Sequence, residues 1–196
     1  MQIEDIISLA QGKGVVRASD LERIGASRTL LPYLAKRGVL RRVSPGAYVL
    51  ADHISEHEAF LEVATAIPHG VVCLLSALQF HEVTTQMPTE AWVAIERGRC
   101  EPTCSRIPLR IVKLSGPAFS EGIEEHSFDG VTLRVYSVAK TVVDCFKFRN
   151  RIGLDVAREA LIDALEQRKA TRDSIWLHAR RCRMSTVIRP YLEMVP

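Results

Sequence analysis

The segment KRGVLRRVSPGAYVL, Lys36 to Leu50, sets two short β-type runs, VLRRV and AYVL, on either side of Ser44-Pro45-Gly46. Proline holds φ near −65° and glycine accepts positive φ, so Pro-Gly between two such runs spells a hairpin turn. The first run carries Arg41 and Arg42 side by side. Successive side chains of a strand leave opposite faces, so only one of the two can grip a polyanion at that level. A solvated hairpin edge is the plain reading of this strand. A wing that holds nucleic-acid phosphate is the specific one, and what precedes the hairpin decides between them.

Immediately upstream, ASRTLLPYLAKRG places Leu30, Leu31 and Leu34 on one stripe of a helix, with Gly38 as its left-handed stop. Ser27 or Thr29 is the cap. Pro32 is tolerable only near a first turn, where amide donors are unpaired anyway, and that favours Thr29. Before it, VVRASDLERIG gives a short extended piece at Val15 and Val16. Ser19 is then the expected N-cap of a helical turn whose Leu21 and Ile24 face inward until Gly25. IEDIISLAQGKG spaces Ile3, Ile6, Ile7 and Ala10 as one helical face, predicting a first helix over residues 2–11 that stops at glycine. Three helices and a hairpin within about fifty residues are the layout of a winged helix-turn-helix. In that geometry the third helix enters the major groove and its amino-terminal residues reach base edges. The candidate DNA-binding residues are Arg17, Ser19, Ser27, Arg28, Thr29, Tyr33, Lys36, Arg37, Arg41 and Arg42.

Charge supports that reading. Residues 15–50 carry seven Lys/Arg against two Asp/Glu, residues 51–146 seven against thirteen, and residues 147–183 ten against five. Two basic segments therefore bracket an acidic middle under a net charge of only +3. Concentrated positive potential in the first segment suits a polyanion partner. No apolar run approaches the roughly 18–20 residues a membrane-spanning helix needs. The amino terminus holds two acids and no basic region of the kind a secretory signal has. Five scattered cysteines, Cys73, Cys100, Cys104, Cys145 and Cys182, suit reduced thiols better than a disulfide framework. A cytoplasmic location is the expectation.

Beyond the hairpin, ADHISEHEAF opens a new unit, with Ser55 capping a helix that runs to about Ala66 on Phe60, Leu61 and Ala64. VVCLLSALQFHEV is an apolar helix or a buried strand running into one. EAWVAI and LRIVKL read as strands, and FDGVTLRVYS as a third turned at Asp129-Gly130. Ser137 caps VAKTVVDCFKF. GLDVAREALIDALEQR is an amphipathic helix with Leu154, Ala157, Ala160, Leu161, Ala164 and Leu165 on one stripe, and Thr171 or Asp173 starts a final helix, SIWLHARRCRM. The expected fold class is α/β in the α+β sense: residues 1–52 a winged helix-turn-helix, residues 53–196 a mixed α/β domain.

Catalytic and metal constellations are weak. Cys100 and Cys104 lack a second ligand pair for zinc, and His53 and His57 straddle the expected cap at Ser55. For two-metal nuclease chemistry, the position two before Lys113 is Ile111, and Glu96 is followed two residues on by Gly98, so an acid-x-lysine element is missing. No G-x-x-x-x-G-K-[ST], G-x-S-x-G or G-x-G-x-x-G motif occurs. Asp144, a carboxylate among apolar residues, is expected to pair with a Lys or Arg inside the fold. No metal, cofactor or catalytic set is expected.

Three blocks resemble one family, the AbiEi-type antitoxins of abortive-infection (type IV) toxin–antitoxin systems. They are LAKRGVLRRVSPGAYVL, then LLSALQFHEVTTQMPTEAWVAIERG with its Leu/His-x-x-Thr segment, then VYSVAKTVVDCFKFRNRIGLDVAREAL with its Thr-x-x-Asp helix. Lys140-Thr141 stands where Arg-Thr is common in the family. The resemblance implies a two-domain antitoxin and autorepressor. Its winged helix would bind double-stranded DNA at inverted repeats in its own promoter, and its second domain would oppose a nucleotidyltransferase-like toxin without needing a stable complex. The alternatives are a metal-dependent nuclease targeted by a winged helix, leaning on Asp144, Glu90, Glu96 and Lys113, and a protein-interaction module.

Overall fold

A computed structural model describes residues 2–53, 58–84, 86–102 and 107–195. The chain clusters into two compact units. The first gathers residues 1–68, 102–107 and 126–133; the second gathers residues 69–101, 108–125 and 134–196. Neither is one uninterrupted stretch of sequence.

The first unit contains α1 (Gln2–Lys13), β1 (Val16–Arg17), α2 (Ala18–Arg23), α3 (Leu30–Lys36), β2 (Leu40–Ser44), β3 (Ala47–Leu50) and α4 (Glu58–Ala66). Its strands form an antiparallel sheet in the order β1-β3-β2, which is the winged helix-turn-helix the sequence predicts. Ile6, Ala10, Val16, Leu21, Leu31, Leu34 and Leu40 make its core. Helix α1 runs two residues past the predicted end at residue 11, because Gly12, next to its last residue, weakens the helix by only about 1 kcal/mol and does not break it. α3 ends as predicted at Gly38, whose φ is +74°. Val39 N donates to Leu34 O at 3.0 Å and Gly38 N to Ala35 O at 3.2 Å, the paired bonds of a Schellman stop. Ile24 does not face inward: it lies beyond α2 at the C-cap and is 44 % exposed. Ile3 is likewise exposed at the start of α1. The predicted cap Ser55 lies outside the described residues.

Helix α2 starts two residues earlier than expected. Its N-cap is Arg17, not Ser19, and Asp20 supplies the capping oxygen by accepting from Arg17 N at 2.9 Å. A carboxylate caps more strongly than a hydroxyl and suits the positive end of a helix. The buried Asp20 also sits 2.5 Å from Lys13 Nζ at the end of α1. Burial pushes its carboxyl up, but the Lys13 hydrogen bond, the Arg17 amide and the nearby Lys13 and Arg23 charges together hold it below the ordinary carboxylate range.

The second unit holds β4 (Val71–Val72), α5 (Leu74–Phe80), β5 (Ala91–Glu96), β6 (Leu109–Leu114), α6 (Pro117–Ser120), β7 (Ile123–Phe128) and β8 (Val131–Tyr136). It continues with α7 (Val138–Lys147), α8 (Arg149–Ile152), α9 (Leu154–Glu166), α10 (Arg172–Arg181) and α11 (Ser185–Met194). The sheet order is β6-β5-β4-β8-β7, with β4 antiparallel to β5 and parallel to β8. The tip of the β7–β8 hairpin belongs to the first unit. VVCLLSALQF resolves as a buried strand running into a helix. α10 is not the last helix: the chain turns at Cys182–Met184 and adds α11, which tolerates Pro190. On α9 the buried stripe is Ala157, Ala160, Leu161 and Ala164, while Leu154 at the first position is exposed.

Helix α7 is the centre of this unit. It is capped by Ser137, whose side chain accepts from Lys140 N, and α5, α9 and α10 pack around it. Such a helix is expected to be apolar all round, yet it buries Lys140 and Asp144 completely. Their Nζ and Oδ2 atoms are 2.5 Å apart, one turn from each other, and Lys140 Nζ lies 4.1 Å from the centre of the Tyr136 ring. Burial pushes the Asp144 carboxyl up, against the pull of Lys140 and Lys147. The expected internal pairing of Asp144 is therefore what the fold contains.

Two stability measurements follow. Asp144→Ala strands a buried ammonium and should cost about 3–5 kcal/mol in urea unfolding, whereas Lys140→Met with Asp144→Leu should recover most of that loss. Asp20 has a folded-state pKa below its unfolded value of about 3.9. Its contribution is thus complete above that pH and is lost as pH falls through the folded pKa. Unfolding followed from neutral pH to about pH 2 should show an acid limb that Asp20→Asn flattens while lowering stability at neutrality.

Candidate nucleic-acid interface

Helix α3 turns Leu31 and Leu34 into the core, which leaves Pro32, Tyr33, Lys36 and Arg37 exposed. Pro32 is the third residue of the helix, where its missing N–H costs no intrahelical bond. The Arg37 guanidinium stacks 5.1 Å from the centre of the Tyr33 ring. This i,i+4 cation–π contact fixes two long polar side chains on one outward face.

The entry to α3 differs in detail from expectation. Thr29 occupies the N-cap position, but its side chain makes no capping bond. Its hydroxyl is 2.8 Å from Ser27 Oγ, and Thr29 N donates to the same Ser27 oxygen at 3.4 Å. A serine–threonine turn therefore shapes the approach. Ser27, Arg28 and Thr29 are all exposed at the amino end of the helix, the end that reaches base edges in this fold.

The wing is closed by Pro45-Gly46, with Gly46 at φ +78° as the third residue of such a turn demands. Ser44 pairs with Ala47 across it, and the register slips between Arg42 and Ser44, leaving Val43 as the extra residue of a bulge. The two arginines part company here. Arg42, opposite Tyr48 on the outer strand of the sheet, is exposed, and its Nε donates to Ser44 O at 3.3 Å. Arg41, opposite Val49, turns to the other face, pairs with Glu58 of α4 and donates to His53 O at 3.3 Å. Strand alternation allowed one of the pair to face outward, and the structure picks out Arg42. Sequence reasoning had no signal for Glu58 as Arg41's partner, since it lies beyond the hairpin on the next helix.

The remaining candidates sit at the start of α2. Arg17 is half-buried and supplies its backbone N–H to Asp20, and Ser19 is exposed in the first turn. The residue missed was Asp20. An acid three positions after an extended residue is itself a helix-start signal. Among the described residues no group of three or more His, Cys, Asp or Glu is arranged to hold a metal ion, and His57 and Cys104 lie outside those residues. Among them too, no helix is long and apolar enough to cross a membrane.

No curated protein sequence matches the chain. Its amino-terminal part does match a family model: residues 4–51, which run from α1 to just past β3, fit the family described as transcriptional regulator, AbiEi antitoxin. The match thus covers the helices and wing whose geometry is given above, and in that stretch the chain is similar to AbiEi-type antitoxin regulators.

Proposed function

We propose that the chain is an antitoxin that represses its own type IV toxin–antitoxin operon in the cytoplasm. In this reading residues 1–52 hold inverted repeats of double-stranded promoter DNA, and residues 53–196 oppose a nucleotidyltransferase-like toxin. The observation that carries the DNA-binding half is the outward face of α3 and the wing. It presents Arg28, Thr29, Tyr33, Lys36, Arg37 and Arg42 to solvent within the segment that matches the regulator family.

The side chains divide by chemistry. Arg28 and Thr29, at the amino end of α3, suit base-edge contacts, where a guanidinium can donate two bonds to one guanine. Tyr33 and Arg37, braced against each other, extend the same face. Lys36 and Arg42 are exposed cations suited to phosphate, with Arg17, Ser19 and Ser27 flanking. Arg41 contributes least, because using it on DNA means giving up Glu58.

Titration of the full chain against duplex from its own upstream region tests these roles. Arg42→Ala should weaken binding to every sequence alike and reduce the log–log salt slope by about 0.9, the value of one phosphate contact. Arg41→Ala should move that slope much less. Arg28→Ala should cost about 1–3 kcal/mol on the operator and relax preference at one base position. An unchanged affinity and slope for Arg42→Ala would overturn the wing assignment.

A further inference from the structure

The winged-helix unit is completed by residues that lie far from it in sequence. Residues 126–133 group with residues 1–68. They are the tip of the β7–β8 hairpin, turned at Asp129 and Gly130, whose φ values are +48° and +71°. Two consecutive residues at positive φ are what a tight two-residue hairpin turn needs. The outer ends of the same strands, residues 123–125 and 134–136, belong to the second unit.

The tip is seated on the corner between α1 and β1. Val15 N donates to Asp129 O at 2.9 Å. Val15 is buried, so without that carbonyl its amide would lie unpaired in the interior, which a folded chain avoids. The seat admits no side chain: a Cβ on Gly14 would come 2.7 Å from Asp129 O, and a Cβ on Gly130 would come 2.2 Å from Lys13 O. On the other flank, His53 Nε2 lies 3.2 Å from Asp129 Oδ2, just after the wing. Strand β1 is two residues long and, among the described residues, pairs with β3 alone, too little to fix its own position. Lys13, against which Gly130 packs, is also the residue that holds Asp20 at the head of α2.

We propose that Asp129 and Gly130 are positioning residues for DNA recognition: the hairpin tip fixes the α1–β1 corner, and through Lys13 and Asp20 it fixes the orientation of α2 and α3. This rests on the DNA-binding reading above. The tip touches no DNA. Its role is to keep the reading helix in register with the wing, so its loss should lower sequence-specific binding more than general attraction to phosphate.

The test compares Gly130→Asn with Gly46→Asn in the full chain. Asparagine tolerates positive φ at either position, but only at residue 130 does its Cβ meet backbone, since nothing lies within 4 Å of Gly46. Gly130→Asn should speed hydrogen exchange at the Val15 amide by about ten-fold or more, the equivalent of one lost buried hydrogen bond. Exchange at Val72, whose strand pairs with β8 at Val135, should stay as in the parent. Operator affinity should fall about ten-fold, with non-specific affinity and its salt slope unchanged. Gly46→Asn should leave the Val15 exchange unaltered. Should Gly130→Asn fail to fold, Asp129→Asn keeps a residue suited to φ +48° and removes only the charge facing His53, with the same direction and a loss of about two- to three-fold. Parental Val15 exchange in these variants, or equal losses of operator and non-specific affinity, would overturn the proposal. A parent chain that binds no upstream duplex would instead sink the DNA-binding reading, while Val15 exchange would still report whether the tip is seated.

Discussion

The outward face of the winged helix depends on a carboxylate that faces inward. Asp20 takes the Lys13 ammonium from the end of α1 and the Arg17 amide at the start of α2, and so fixes the corner between them. α2 is only six residues long, too short to hold its own geometry, and α3 follows after a tight turn at Ile24–Thr29. With that corner fixed, Leu21, Leu31 and Leu34 can enter one core together, and Tyr33, Lys36 and Arg37 are left outside by helical geometry alone. The polar surface is thus a consequence of the Lys13–Asp20 ion pair and the leucines behind it.

What the sequence made legible was local chemistry. Gly38 and Pro45-Gly46 announce a helix stop and a turn because few other residues adopt those backbone angles, and both stand where expected. Ser137 and Thr171 cap helices that begin beside them. Misreadings arose where two residues offered the same signal. Ser19 and Asp20 are both good helix-start oxygens, and the charged one won because Lys13 was within reach. Ile24 and Leu154 satisfy a helical period but fall at helix ends, where they stay exposed. Contacts between distant segments left no trace in periodicity: Glu58 with Arg41, and Asp129 with Val15. They depend on chain topology that a residue count does not encode.

The charge pattern needs similar correction. The basic surplus of residues 15–50 is partly neutralised within the first unit, since Arg41 answers Glu58 and Arg23 lies 4.0 Å from Asp20. In the second unit the basic stretch is likewise interrupted, with Arg181 paired to Glu121 and Lys169 donating to the carbonyls of His81 and Glu82. Sequence-local charge therefore overstates the positive field around each basic segment.

Strand β2 lies at the edge of its three-stranded sheet, with one row of backbone donors and acceptors facing outward. Such an edge invites a strand from another molecule to add to it. Here the exposed Arg42, the bulge at Val43 and a proline at the end of the strand all make that addition unfavourable. The same features keep the wing from templating aggregation, so a variant that made this strand flat and apolar would lose solubility.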